Sequence, residues 1–195
     1  MLLAMRAVKR RPCPETMVWA GLMGLESGDL ELARQMLDQV RQLGGDPFGE
    51  TEWLAMQIAY RDPEQRVPDL ARELEGRRDL SPVVSQKVQL ELMWAALREG
   101  DGNEARRRAE YLLKVDDVPD AHMGLWALAT MDGNERAAKA QYERARLPKA
   151  RKMYMEAYCR TLMRDFEGAG RLQAQLQELD PSLAESTKRW LKEEG

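Results

Sequence analysis

The chain contains few of the residues that usually build catalytic or metal sites. Among its 195 residues are one histidine, two cysteines and 6% aromatic residues. A metal site made of His122, Cys13 and Cys159 would need three distant segments to converge, and Cys159–His122 is a nucleophilic dyad only on paper. The cysteines form no CxxC motif, which is typical of reduced thiols in the cytoplasm. We therefore predict a cytoplasmic protein that is not an enzyme and binds no metal or cofactor.

Motifs for membrane insertion, secretion and phosphate binding are also missing. No apolar run approaches the roughly 20 residues that span a bilayer. The short apolar stretch 1–5 precedes Arg6 and Lys9, whereas a secretory signal has its charge first. Neither a GxxxxGKS/T loop nor a GxGxxG loop occurs, and this absence argues against the usual nucleotide-binding loops.

The residues that are abundant are strong helix formers. Ala, Leu, Arg, Glu and Gln dominate and β-branched residues are scarce, which predicts an all-α fold. The net charge is −3, but it is unevenly spread: residues 13–75 hold thirteen acids and five bases, and residues 135–165 hold nine bases and four acids. This asymmetry can set the charge of a partner surface. The overall acidity and the interleaved glutamates argue against nucleic-acid binding by the basic stretch.

A turn followed by a small residue recurs along the chain. The last three alanines of the pattern are 33 and 31 residues apart, and the first two are 72 apart, which leaves room for a weaker copy near Ala71. Such a period predicts a solenoid of helical hairpins. The glycine allows left-handed backbone, the following Asp or Asn caps the next helix, and the alanine lets two helices approach closely. The four copies are Gly28-Asp29 with Ala33, Gly100-Asp101 with Ala105, Gly133-Asn134 with Ala138, and Arg164-Asp165 with Ala169.

The hairpin pattern divides the whole chain, 1–195, into one predicted domain. Residues 1–11 read as half a repeat or an N-terminal cap helix, and residues 182–195 read as a polar C-terminal capping helix. If 1–11 is half a repeat, its apolar residues favour a homodimer through this helix. The five predicted repeats are 14–46, 50–76, 82–117, 119–147 and 149–181.

The repeats resemble the tetratricopeptide repeat (TPR) family. The residues that carry the likeness are Gly21, Gly28 and Ala33 in the first repeat; Gly100-Asp101, Ala105, Leu112 and Asp116 in the third; Gly133, Ala138, Tyr142 and Ala145 in the fourth; and Asp165-Phe166, Ala169, Leu176 and Asp180-Pro181 in the fifth. The resemblance implies a right-handed superhelical solenoid of about five hairpins. The family's early Trp and Tyr positions are mostly not kept, and the second repeat is degenerate.

In this family the first helix of each hairpin lines a concave groove that binds ligands. The carboxylate clamp of some co-chaperones is not matched, because the helix over residues 16–26 has no base and no Asn. Aromatic and Met side chains in the groove register are typical of docking surfaces. The resemblance places in the groove Val18, Leu22, Trp53, Met56, Tyr60, Leu90, Trp94, Met123, Tyr154 and Tyr158.

These features predict a protein–protein interaction scaffold or adaptor that binds a peptide, helix or protein in its groove. A chaperone-like or assembly factor of a bacterial secretion or pilus system is one alternative. The other is a regulatory TPR domain cut from a longer enzyme or sensor.

Overall fold

The computed structural model describes residues 2–45, 49–61 and 67–194, and every regular element in these ranges is a helix. The prediction of an all-α chain is therefore confirmed, and no helix in the described ranges is long and apolar enough to cross a bilayer. The helices are α1 (Leu2–Arg10), α2 (Pro14–Glu26), α3 (Leu30–Gln42), α4 (Glu50–Ala59), α5 (Val67–Glu75), α6 (Pro82–Arg98), α7 (Gly102–Val115), α8 (Pro119–Met131), α9 (Glu135–Arg144), α10 (Lys149–Leu162), α11 (Phe166–Leu179) and α12 (Pro181–Glu194).

Each predicted repeat contains one consecutive helix pair, from α2–α3 to α10–α11, with α1 and α12 outside the pairs. The predicted end of the first repeat at Asp46 and residues 62–66 of the second predicted repeat lie outside the described residues.

Four of the hairpin turns have one hydrogen-bonding pattern, which explains the recurring sequence. Gly28 adopts φ +80°, its N–H donates to the carbonyl of Leu25, and the N–H of Asp29 donates to the carbonyl of Gly24 at 2.8 Å. These two bonds make a Schellman motif, which closes the first helix. The Asp29 carboxylate then accepts the N–H of Leu32 at 2.9 Å and so opens the second helix. The same bonds are made by Gly100 and Asp101, by Gly133 and Asn134, and by Arg164 and Asp165.

The fourth turn departs from the other three at its first residue. Arg164 has φ +60° and is the one non-glycine residue with positive φ among the described residues. Left-handed backbone costs a residue with a Cβ about 1–2 kcal/mol. The turn therefore keeps its hydrogen bonds at an energetic cost that the glycine turns avoid.

The recurring alanines are all buried. Ala33, Ala105 and Ala169 have no exposed surface, and Ala138 is buried. Ala71, at the position of the weaker copy, is also fully buried. Each copy of the pattern thus holds a small, buried side chain, and the prediction that it lets the two helices approach closely stays a prediction.

The contacts divide the chain into two compact units, Met1–Glu91 and Leu92–Gly195, whose boundary falls within α6. In unit 1 the core joins α1, α2, α3 and α4, with Leu54 of α4 fully buried against this cluster. In unit 2, α8 packs against α7, α9 and α10, and α10 packs against α11 and α12. Within each unit, hairpins thus pack against their sequence neighbours.

An ion-pair cluster on α7 makes stability depend on pH. Arg107 donates hydrogen bonds to the Glu104 carboxylate, and the buried Arg108 lies 2.7 Å from it. Arg107 first, and then the charge of Arg108, lower the pKa of Glu104 from its usual value near 4.5 to about 2. A carboxyl whose pKa is depressed by folding stabilises the folded state above its unfolded pKa and loses that contribution as pH falls.

We therefore expect the Glu104→Gln variant to lose less stability than the wild-type chain between about pH 4.5 and pH 2. Urea unfolding followed by circular dichroism at several pH values in this window measures the difference. Equal slopes of unfolding free energy against pH in both proteins would contradict the assignment.

Candidate partner-binding surface

The first helix of the first predicted repeat, α2, exposes a tryptophan to solvent. On α2, Glu15, Trp19, Leu22 and Glu26 follow one another at spacings of four, three and four, which is one helical face. Trp19 is 46% exposed and Leu22 is partly buried, whereas Val18 is buried in the core. The solvent face of α2 therefore combines two carboxylates with an exposed aromatic ring.

The neighbouring first helix, α4, also presents aromatic side chains. Trp53 is partly buried, and the Lys87 ammonium lies 5.9 Å from the centre of its ring, which is within cation–π range. Tyr60, at the end of α4, is 46% exposed, and its hydroxyl donates a hydrogen bond to the Glu91 carboxylate. Met56, between them in sequence, has no exposed surface. Because α2 packs against α4, these aromatic residues lie on adjacent helices.

In unit 2 the structure brings two predicted groove residues into direct contact. The rings of Trp94 on α6 and Tyr158 on α10 meet edge to face, with centroids 5.4 Å apart. Arg98 also donates a hydrogen bond to the Tyr158 hydroxyl at 2.6 Å. Trp94 is buried and Tyr158 is partly buried. Arg98 and Tyr158 are 60 residues apart in sequence, so these contacts join distant segments of the chain.

The helix α8 carries little accessible side-chain surface. All residues from 121 to 129 are buried, and Met123 has no exposed surface. At its start, Asp120 pairs with Arg151 at 3.3 Å, and the Arg151 guanidinium lies 5.2 Å from the ring of Tyr154. Tyr154 is partly buried by these contacts.

The ten predicted groove residues thus fall into three classes. Val18, Met56, Trp94 and Met123 are buried. Their side chains therefore pack inside the units. Tyr60 is exposed. The partly buried residues are Leu22, Trp53, Leu90, Tyr154 and Tyr158.

Sequence reasoning missed Trp19, the single aromatic residue of α2. The helix is apolar nearly all round, so its hydrophobic pattern does not define which face is outside. The charged residues did hold that information, because Glu15 and Glu26 lie on the same face as Trp19. Their spacing would have placed Trp19 rather than Val18 in solvent.

Cys159 and His122, the conceivable nucleophilic pair, each have other partners. The His122 ring nitrogens lie 2.7 Å from Gln141 Oε1 and 2.8 Å from Asp117 Oδ1. The buried Cys159 thiol donates to the Met123 carbonyl at 3.8 Å, and burial raises its pKa far above the usual range. A thiol nucleophile needs the opposite shift. Among the described residues no three His, Cys, Asp or Glu side chains are grouped so that they could hold a metal ion.

The side chains of α2 and α4 carry charge of one sign, while two cations from elsewhere in unit 1 lie against α4: Arg77 pairs with Glu52, and Lys87 lies over Trp53. Helices α2 and α4 contain four glutamates, Glu15, Glu26, Glu50 and Glu52, and no Lys, Arg or His. Compared with known protein families, with curated proteins and with solved structures, the chain matches none.

Proposed function

We propose that this chain is a cytoplasmic, non-enzymatic adaptor whose hairpins stack as a right-handed TPR-like solenoid and bind a protein, helix or peptide along their first helices. The order of packing supports the solenoid: α2 contacts α3 and α4 in unit 1, and α8 contacts α9 and α10 in unit 2. Repetition of one turn geometry in four hairpins supports it too, because identical units stack with a constant rotation.

One observation carries the binding function: Trp19 and Tyr60, on two adjacent first helices, are each 46% exposed. Large aromatic side chains lose unfavourable contact with water when a partner covers them, and Trp and Tyr dominate the energetics of protein interfaces. Leu22 and Trp53 extend the apolar area on the same two helices. We call Trp19, Leu22, Trp53 and Tyr60 the aromatic surface.

The charge carried by α2 and α4 suggests the partner's chemistry. On α4, Glu52 pairs with Arg77 and Lys87 lies over Trp53, whereas the only charged side chains of α2 are Glu15 and Glu26; a partner with apolar anchors flanked by Lys or Arg complements these acids. An amphipathic helix with basic edges meets both requirements.

The Trp19→Ala and Tyr60→Ala variants test the proposal. Peptides are selected from a displayed library on the wild-type chain, and the affinities of the strongest binders are measured by calorimetry. Each substitution should weaken binding by about 1–3 kcal/mol, which is roughly 5- to 150-fold. The matched control is Tyr111→Ala, because Tyr111 is 50% exposed but lies on α7, the second helix of its hairpin.

We expect the Tyr111→Ala variant to bind within twofold of the wild-type chain. If Trp19→Ala and Tyr60→Ala bind every selected peptide as tightly as the wild-type chain, the aromatic surface is not the binding site. Circular dichroism spectra of all variants establish that the helices are intact.

A further inference from the structure

Unit 2 carries a group of exposed cations on α9 and on the segment that leads into α10. Residues 135–152 hold seven bases and two acids. Five of these bases have exposed side chains that form no hydrogen bond, ion pair or ring contact with any described residue. We call these five residues the basic surface: Arg136, Lys139, Arg144, Arg146 and Lys149.

The two acids of this stretch do not neutralise its cations. Glu135 and Glu143 are exposed, and neither carboxylate forms an ion pair with a described residue. Glu143 follows Lys139 on α9, which is the less favourable order for an ion pair between successive turns of a helix. Five cations and two carboxylates leave the basic surface with an excess of three positive charges.

The acids of α8, α10 and the turns that flank them have hydrogen-bond or ion-pair partners of their own. Lys152 on α10 adds one more cation to this region, and its ammonium lies 4.1 Å from the centre of the Tyr142 ring. The excess positive charge of the basic surface is therefore not taken up by these acids. Their contacts are Asp116 with the N–H of Asp117, Asp117 with His122, Asp120 with Arg151, Asp132 with Arg106, and Glu156 and Asp165 with Arg160.

The backbone that carries the basic surface is held by packing. The Tyr142 ring on α9 lies 5.6 Å from the ring of Trp126 on α8, centroid to centroid. The Tyr142 hydroxyl donates to Glu156 at 2.8 Å, which ties α9 to α10. Ala145, directly after α9, has no exposed surface. A partner that binds the cations therefore has to order their side chains and not the backbone beneath them.

We propose that the basic surface binds an acidic segment of a partner protein, whose Asp or Glu side chains face its cations. Like charges held close together repel one another, and carboxylates placed among them replace that repulsion by attraction. Guanidinium and ammonium groups both donate charge-assisted hydrogen bonds to carboxylates. Helix α9 has 10 residues and is about 15 Å long, so about five residues of an extended chain cover it.

A nucleic acid fits this surface less well than an acidic polypeptide does. Glu135 and Glu143 stand among the cations, and a chain with a phosphate at every nucleotide meets both, whereas a polypeptide can place neutral or basic side chains opposite them. The Tyr142 ring is also occupied, because it contacts Trp126 and Lys152. Single-stranded nucleic acids bind by stacking their bases on accessible aromatic rings.

The basic surface belongs to unit 2 and the aromatic surface belongs to unit 1, so this proposal does not rest on the aromatic surface. Two surfaces that favour partners of opposite charge suit an adaptor, which holds two proteins at once. The test of the basic surface uses a designed peptide and needs no natural partner. The failure of one proposal therefore leaves the other standing.

A peptide of about twelve residues with alternating Glu and Ser tests the basic surface, and the matched control peptide has Gln in place of each Glu. Each peptide is titrated into the full chain and followed by NMR at an ionic strength of about 0.1 M, at which distant charges are screened. We expect the Glu peptide to shift amide resonances of residues 135–152 along a saturable curve, and the Gln peptide to leave them unchanged.

The double variant Lys139→Glu/Arg146→Glu should bind the Glu peptide about tenfold more weakly or worse, because each substitution replaces an attraction by a repulsion. The matched control is Arg41→Glu/Arg78→Glu, which changes the net charge by the same amount at two exposed arginines of unit 1 that pair with no described residue. We expect this control to bind within about twofold of the wild-type chain. All four substituted side chains are exposed, and urea unfolding establishes that both double variants are folded.

The proposal is overturned if the Glu peptide gives no saturable shift, if the Gln peptide binds as tightly, or if the two double variants lose the same affinity. Tighter binding of a single-stranded oligonucleotide with the same number of negative charges would assign the surface to nucleic acid instead. Sedimentation of the free chain tests the remaining occupant, a second copy. A dimer that dissociates in the Lys139→Glu/Arg146→Glu variant, and not in the control, would assign the surface to self-association and would also overturn the proposal.

Discussion

Replacing Leu54 with alanine should lower the free energy of unfolding by about 2–5 kcal/mol. Leu54 of α4 has no exposed surface and belongs to the core that joins α1, α2, α3 and α4. The substitution removes apolar contact and leaves a cavity where two hairpins meet, so the expected cost lies in the upper range for core truncations. Urea unfolding followed by circular dichroism measures the change.

The partner of Leu54 across this contact is Gly21 on α2. A Cβ built on Gly21 would lie 2.7 Å from Leu54 Cδ2 and 3.3 Å from Met36 Cβ, so Gly21→Ala crowds the wild-type core. Once Leu54 is alanine, the same methyl group enters the vacated space, and the helix gains about 1 kcal/mol from replacing glycine. We therefore expect Gly21→Ala to destabilise the wild-type chain and to stabilise the Leu54→Ala variant, with a coupling of about 1–3 kcal/mol.

The control for this cycle is Gly170→Ala on α11. A Cβ at Gly170 meets no atom within 4 Å, so the substitution should stabilise the chain by about 0.5–1 kcal/mol through helix propensity alone. If Gly21→Ala changes the stability of the wild-type chain and of the Leu54→Ala variant equally, Leu54 does not pack against Gly21. The contact between the two hairpins would then not exist as described.

The turns and the small core positions were predictable from sequence because each has a local cause. Three features lie within a few residues of one another. They are the left-handed residue that ends the first helix, the side chain that caps the second helix, and the buried alanine that follows. Short-range geometry therefore specifies them, and the predicted helix pairs follow.

The candidate site was harder to predict because its geometry depends on contacts between distant segments. On α2 the nearly uniform apolar character hid the register, so Val18 was placed outside in place of Trp19. Trp94 and Tyr158 were both predicted in the groove, but their mutual contact, which buries Trp94, joins residues far apart in sequence. No local pattern encodes such a contact.

Replacing Ala169 with leucine should destabilise unit 2. Ala169 is fully buried on α11, at the position where the recurring pattern places a small residue, and α11 packs closely on α10. Three additional carbon atoms there force the two helices apart or drive side chains from their preferred rotamers, at a cost of about 1–3 kcal/mol. The loss follows from crowding, since leucine is itself a good helix former.

The same helix offers a matched control for Ala169→Leu. Ala174 is exposed on α11, so Ala174→Leu adds the same atoms to the same helix in solvent and should change stability by less than about 0.5 kcal/mol. Thermal and urea unfolding of both variants separate crowding from helix propensity. If Ala169→Leu and Ala174→Leu are equally stable, Ala169 does not set the distance between α10 and α11. The recurring Gly-Asp…Ala pattern would then reflect the repeated turn and not a repeated close contact of helices.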